Sequence, residues 1–355
     1  MNRITILLSA LLIAGIGFIF AMPFFGLVHL PSFLPFPLLD RFQRIQLLRQ
    51  AERGNVNAEF RLSWNYYKNG PYDPQNYIEA LKWSKKAAED GNMSAASNIG
   101  EMYAEGSGVP QDFQQAFKWF KLAADHNIAP AQAGLGQLYR YGRGVPQNNA
   151  EALKWFMKAE TQNDAVAENE LGIMYNKGIA VDQNKGEAFH WFKKSANSGY
   201  APAEENIADM YSTYIKDMAV PQNDEAAFTF LLKAAEQGDA KAEAKLGFYY
   251  LIGKGTEKNL SEAKKWLEKS ANQGFPIAQL ALGVLYTGDM GGGSNLTESY
   301  KWLSLAAAQN QADAQDVLAR IKPHMMVGEV AAAQEMVHSF APKVEENLAT
   351  VPEHK

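Results

Sequence analysis

Residues Asn92 to His126 (NMSAASNIGEMYAEGSGVPQDFQQAFKWFKLAADH) are followed by a stretch, Asn127 to Gln162, that matches them position by position. Self-similarity at a period of about 20 to 50 residues constrains a fold more than any local signal. A unit of that size cannot bury its own apolar face and must stack on its neighbours. One aromatic position marks the register. Trp83, Trp119, Trp155, Trp191, Phe230, Trp266 and Trp302 are spaced 36 residues apart, except for a step of 39 between Trp191 and Phe230. Six of the seven Trp of the chain fall in this series.

Small residues stand three before and four after the aromatic, as in Ala80 and Ala87, Ala116 and Ala123, Ala152 and Ala159. Spacings of three and four share one helix face, so each unit holds a helix with a small-residue seam beside a large ring. A second pattern, Leu-Gly-x-x-Tyr, precedes it and is carried by Tyr66, Tyr103, Tyr139, Tyr175, Tyr211, Tyr250 and Tyr286. A glycine inside a helix costs about 1 kcal/mol against alanine, so its return at one register predicts a close approach between helices. Eight residues after each aromatic comes Gly91, Asn127, Asn163, Gly199, Gly238, Gly274 or Asn310. Glycine and asparagine are the residues that end helices in the left-handed conformation. Between the two helices lies a turn such as GSGVPQD at Gly106 or GRGVPQN at Gly142, with Pro110, Pro146 and Pro221 stopping the first helix. Each unit therefore reads helix, turn, helix, turn. The fixed register of the aromatics assigns Trp83, Trp119, Trp155, Trp191, Phe230, Trp266, Trp302, Tyr103, Tyr139 and Tyr175 to the repeat core and not to a ligand groove.

Leu-Gly-x-x-Tyr, Gly-x-Gly-Val-Pro-Gln and Ala-x-x-Trp recur together and in order, and in this they resemble the Sel1-like repeat family, relatives of the tetratricopeptide repeats. The resemblance covers residues 55–310. It implies an all-α, right-handed α/α superhelical solenoid of about seven 36-residue helix-turn-helix repeats whose first helices line a concave face and bind a partner protein. It also implies adaptor or regulator work, often at the bacterial envelope, and in some members neutralisation of a secreted toxin as an immunity protein. Two units depart from the pattern. The fifth is three residues longer before Val220, which predicts a first helix extended through Tyr214 and Ile215. The seventh replaces the usual turn with GDMGGGSN at Gly288.

A net charge of −5 with no basic stripe argues against nucleic acid, which needs cations to displace counterions. The absence of cysteine excludes disulfides, thiol catalysis and cysteine-ligated metals. The histidines His29, His126, His190, His324, His338 and His354 show no metal-ligand spacing. No nucleophile elbow or phosphate loop appears. Acidic neighbours such as Glu168 with Glu170 and Glu204 with Glu205 read as solvated helix faces. The residues point to no catalysis, metal, cofactor or small-molecule substrate. An enzyme acting on cell-wall material is a remote third reading.

Ile4 to Leu39 contains no Asp, Glu, Lys or Arg. The 19 residues from Ile4 to Met22, about 28 Å as a helix, are enough to cross a hydrocarbon core. Residues 1–22 are expected to be a single-pass anchor in a bacterial inner membrane, or alternatively a cleaved signal that leaves a soluble periplasmic or secreted protein. Arg3 favours a periplasmic repeat domain, although Arg41, Arg44, Arg49 and Arg53 pull the other way. Pro31, Pro35 and Pro37 argue against helix through the segment that follows, and Asp40 reads as the N-cap of a helix covering the start of the solenoid, so residues 23–54 form an apolar linker and cap. Residues 311–340 are expected to form C-terminal capping helices, and residues 341–355 a loose tail.

Function is left to the residues that change while the frame stays fixed. The position after the Leu-Gly glycine holds Trp64, Glu101, Gln137, Ile173, Asp209, Phe248 and Val284 in turn. Trp64, Glu101, Gln137, Asp209 and Phe248, with Arg140 and Tyr249 on the same helices, are the candidate partner contacts. The aromatics among them are the expected anchors.

Overall fold

A computed structural model describes residues 36–71, 73–213, 222–288 and 293–342, with side chains from Arg44 onward. The segment 1–22 expected to be an anchor and the tail beyond 342 lie outside the described residues. Among the described residues no helix is long and apolar enough to cross a membrane. The described chain is all helical and forms a solenoid. A leading helix, α1 (Phe36–Glu52), is followed by α2 (Val56–Lys68), α3 (Pro74–Glu89), α4 (Met93–Glu105), α5 (Phe113–Asp125), α6 (Ala129–Tyr141), α7 (Asn149–Glu160), α8 (Ala165–Lys177), α9 (Lys185–Asn197), α10 (Ala201–Ser212), α11 (Asp224–Glu236), α12 (Ala240–Ile252), α13 (Leu260–Asn272), α14 (Pro276–Leu285), α15 (Leu296–Ala308), α16 (Ala312–Ile321) and α17 (Val327–His338). The pairs from α2–α3 to α14–α15 are the seven repeats.

Two corrections concern element ends. Asp40 lies inside α1 and is not its N-cap position, because the helix begins at Phe36. Pro37 is no obstacle there, since the first turn of a helix has no use for the missing N–H. The first helix of the fifth repeat does not run on through Tyr214 and Ile215. It ends at Ser212, and Thr213 is extended. Tyr214 and Ile215 themselves lie outside the described residues. The N–H of Asn223 still donates to the carbonyl of Tyr211 at 2.9 Å, the same closure made by Asn148 to Tyr139 and by Asn259 to Tyr250. The ends that flank the extra residues are therefore placed as in the other repeats.

The helix ends follow the capping chemistry. Gly91, Asn127, Asn163, Gly199, Gly238, Gly274 and Asn310 all have positive φ. Every second helix starts on an Asp or Asn N-cap, from Asp73 to Asn295, whose side chain accepts a backbone N–H. First helices whose N-cap side chain makes no such bond, after Ile128, Tyr200 and Phe275, carry proline in the first turn instead.

The core is set by the residue after the register Trp, a position the sequence pattern did not single out. Phe156 and Phe192 are fully buried, and Phe120 nearly so. A Cβ placed on Gly136 would lie 2.5 Å from the Phe156 ring, and one on Gly172 would lie 2.6 Å from that of Phe192. The recurring glycine thus admits a side chain of the second helix, not the neighbouring backbone alone. Among the Trp, Trp83, Trp266 and Trp302 are buried, whereas Trp119, Trp155 and Trp191 are half-buried. Trp155 packs on the core of the preceding units, and the Lys158 ammonium lies 4.1 Å from its ring centre. The tyrosines bridge repeats edge-on: Phe117 meets Tyr139 at 5.8 Å, Phe189 meets Tyr211 at 5.3 Å, and Phe228 meets Tyr250 at 5.3 Å.

A third correction concerns charge. Glu168, Glu170, Glu204 and Glu205 are buried, not solvated. Glu59, Glu168, Glu204 and Glu243 share one register near the start of a first helix. Lys86 pairs with Glu59, and Lys194 with Glu168 at 3.1 Å, each Lys standing three residues after the register Trp. Glu204 instead accepts from Gln237 at 2.7 Å. Burial pushes its carboxyl up to about 7, against the attraction of Lys233 and the Gln237 bond.

The ends are closed differently. Ala51 of α1 packs with Ala58, Leu62 and Trp83. At the other end α17 folds back over α15, where Phe340 meets Trp302 edge-on at 5.8 Å.

Two outcomes follow from this packing. Phe156→Ala is expected to cost about 3–5 kcal/mol in urea denaturation, more than Trp155→Ala. Gly136→Ala should destabilise despite its better helix propensity, and an unchanged midpoint would refute the close approach. The raised Glu204 pKa means the folded state holds a proton that the unfolded chain releases near 4.5. Stability should therefore fall as pH rises from there through about 7. Glu204→Gln should flatten that slope and raise the melting temperature at pH 8.

Candidate partner-binding face

Consecutive first helices touch directly, α4 with α6, α6 with α8 and α14 with α16, whereas second helices meet chiefly through the first helix between them. The stack therefore curves with its first helices inside. Polar bridges knit that inner face. Lys245 of α12 reaches Asp209 of α10 at 2.7 Å, and Lys241 reaches Glu205 at 2.8 Å. Asn206 donates to Asn169 at 2.9 Å.

All seven candidate residues lie on first helices, and each fares differently. Trp64 is half-buried and stacks on Tyr67, with ring centres 5.8 Å apart and planes inclined by 12°. Glu101 is solvent-exposed at its edge. Trp64 and Glu101 come together at a crevice between α2 and α4, too narrow to admit a water molecule, that is also lined by Tyr67, Asn98 and Met102. Desolvation beside the helix and the nearby charge of Glu105 push the Glu101 carboxyl above its ordinary value. Gln137 is half-buried on α6. Asp209 is exposed and ion-paired with Lys245. Phe248 and Tyr249 are half-buried near the other end of the solenoid, Phe248 packing against the core of the sixth and seventh repeats.

Arg140 is only 6 % exposed, and its guanidinium is engaged by Glu170 of the next first helix and stacked 4.9 Å from the Tyr141 ring centre. Burial lowers its pKa. It ties repeat three to repeat four. Sequence reasoning passed over Tyr141, 47 % exposed, and Ile252, 70 % exposed. Ile252 lies one turn beyond Phe248, and the four-residue spacing was the available signal. Among the described residues no group of three His, Cys, Asp or Glu is placed to hold a metal ion. The arrangement offers a surface for contact and no assembled nucleophile, base or metal cradle among these residues.

Comparison with known proteins agrees with this geometry. The Sel1 repeat family matches residues 56–92, 94–128, 129–164, 165–200, 201–239, 240–275 and 276–311. A Sel1 repeat protein from Oxalobacter formigenes is 34% identical, with a TM-score of 0.59, over 68% of this chain and 98% of that one. A protective antigen present in uropathogenic Escherichia coli strains and displaying an SLR fold is 29% identical, with a TM-score of 0.58, over 82% of this chain. The chain spans 64% of that antigen's length. An immunity protein from Pseudomonas aeruginosa is 20% identical, with a TM-score of 0.44, over 61% of this chain and 82% of its own. No curated protein matches the chain.

The Arg140–Glu170 pair separates a structural from a recognition role. Arg140→Ala leaves Glu170 buried without its partner and is expected to cost about 3–5 kcal/mol, whereas Arg140→Met combined with Glu170→Leu should recover most of the loss. Circular dichroism melts of the two variants measure this. A single variant as stable as the parent would contradict the placement.

Proposed function

The chain belongs to the Sel1 repeat family, and from that premise we propose that it is a non-catalytic adaptor or regulator of the bacterial envelope that captures a partner protein on its inner face. The observation that carries the reading is the contrast within each first helix. A small buried residue (glycine in five repeats, Ser63 and Ala208 in the others) and the Leu or Ile before it hold the frame, while the next residue changes from Trp64 to Glu101 to Phe248 and stays accessible. Binding energy at protein surfaces concentrates in a few large side chains, and half-exposed Trp and Phe are suited to that work. The reading includes attachment to an inner membrane by residues 1–22, with the repeats on the periplasmic side. What supports that part is the uncharged run from Ile4 to Met22 behind Arg3.

In-cell cross-linking through a C-terminal tag, with protease access to the tag in spheroplasts, tests both parts. One stoichiometric partner and a protease-sensitive tag are expected. Phe248→Ala should reduce capture about tenfold or more. It should lower the melting temperature far less than Phe156→Ala. A melting loss equal to that of Phe156→Ala, or unaltered capture, would sink the surface assignment. A protected tag would move the repeats to the cytoplasm.

A further inference from the structure

We infer that residues 344–351 of this chain dock as a short helix on the inner face of repeats six and seven and compete there with the captured partner. The competition rests on the adaptor reading; the docking does not.

On α12 the inner face is marked by Lys241 and Lys245, which bridge to α10, and by Phe248. The matching positions one repeat later, on α14, are Ile277, Ala281 and Val284. All three are apolar. In each of the other six repeats at least one of the three is polar: Arg61, Asn98, Gln137, Glu170, Asn206 and Lys245. The α14 sequence carries no charged residue. Ile277 is 47 % exposed and Ile252 70 % exposed, whereas Phe248, Ala281 and Val284 are half-buried. Phe248 and Ala281 pack on the same core cluster, so the two helices leave one apolar strip in water. Apolar surface of that kind marks a place where something docks.

The chain itself delivers a candidate to the strip. Pro342, the last described residue, lies against the turn that precedes α14: a Cβ on Gly274 would stand 3.5 Å from its ring. Gly274 is three residues before Ile277. Lys343 to Lys355 (KVEENLATVPEHK) lie outside the described residues. Among them Val344, Leu348 and Val351 are spaced by four and three, the spacing of Ile277, Ala281 and Val284. Such spacing gathers three side chains on one helix face, the pattern of a helix laid in an apolar groove. Glu345 and Glu346 fall off that face and in the first turn, where acidic residues are favoured, and Pro352 ends the helix. Val344 is two residues past Pro342, a reach of about 7 Å, so the stripe starts beside Ile277. A helix this short is marginal in water and forms on docking. Its short tether supplies an effective concentration on the order of millimolar, against which a partner has to bind.

The chain has no cysteine, so an engineered disulfide meets no background thiol. In the full chain, Ala281→Cys with Leu348→Cys should close an intrachain bond under mild oxidation, because such a bond needs Cα atoms within about 7 Å. Mass spectrometry of the monomer reads it. Leu348→Cys with Leu122→Cys, an exposed position on α5, should close far more slowly. Equal rates for the two pairs would overturn the docking. Disulfide-linked dimers from the first pair would overturn it as well, by giving the strip to a second copy. Leu348→Glu should raise partner capture several-fold. Unchanged capture beside a closed disulfide would overturn the competition and leave the docking standing. Capture that ignores Phe248→Ala in both the parent and Leu348→Glu would overturn the adaptor reading, whatever the disulfide shows.

Discussion

The solenoid depends on one contact made over and over: a large apolar side chain of the second helix seated where the first helix has no side chain at all. Phe120 shows it most fully. Cβ atoms on Gly100 of its own repeat and Gly134 of the next would lie 2.6 and 2.8 Å from its ring. One residue thus sits at the junction of three helices and fixes both the packing inside a unit and the step to the next. Interiors are packed densely enough that volume must be conserved across such a contact. The exceptions obey that rule. Repeat one has Ser63 in place of the glycine and Ser84 in place of the Phe, both buried. Repeats six and seven keep the glycines and oppose Gly247 and Gly283 with Leu267 and Leu303.

A second layer of specification runs beside the apolar one. Buried polar residues near the start of first helices are matched across the repeat by polar residues near the end of second helices. Acid and cation come together in Glu59 with Lys86 and Glu168 with Lys194. Where the acid is replaced by Gln132 or Gln279, the partner is Gln162 at 3.1 Å or Gln309 at 2.9 Å. Where it is Ala96, the position three after the Trp is Leu122. Buried ion pairs gain little net stability over an apolar alternative, because desolvation offsets the attraction. Their better-attested use is to penalise wrong registers. In a chain of seven near-identical units, in which first helices could dock on the wrong second helix, that penalty has a clear purpose.

Most of this fold could be read from the chain because it is written in local, repeated signals. The period set the units, and all seven Gly or Asn positions proved left-handed. The places where reading failed share a cause. Glu168 and Glu204 look like surface charges from their neighbours, and only partners 26 to 33 residues away bury them. The three extra residues of repeat five could enter a helix or a loop by count alone. The helix ends at Ser212, and the bond from Asn223 to Tyr211, a contact between element ends, keeps the closure of the other repeats. The residue after the Trp was overlooked because Trp is the larger and rarer residue, yet Phe156 is the more deeply buried. For the binding face, the register was legible but its use was not. Arg140 sits on a candidate helix and is consumed by Glu170, a pairing across repeats that spacing within one repeat cannot reveal.

A frame that makes every repeat equivalent leaves function to the inequalities, and on the inner face these gather at two separated places. At repeats one and two the departure is polar and aromatic, Glu101 and Glu105 facing Trp64. At repeat six it is apolar, Phe248 with Ile252 one turn beyond. First helices that touch across successive repeats advance by roughly one interhelical distance each, about 8–10 Å. The two places are then on the order of 35–40 Å apart along the curve. One bound side chain cannot address both. An extended segment would need about 12 residues to do so, and a folded domain could present both anchors from one surface. Under the proposed adaptor reading, a partner built that way would take its specificity from the two ends, and the inner residues between them, Gln137 and Asp209, would need only to be compatible with it.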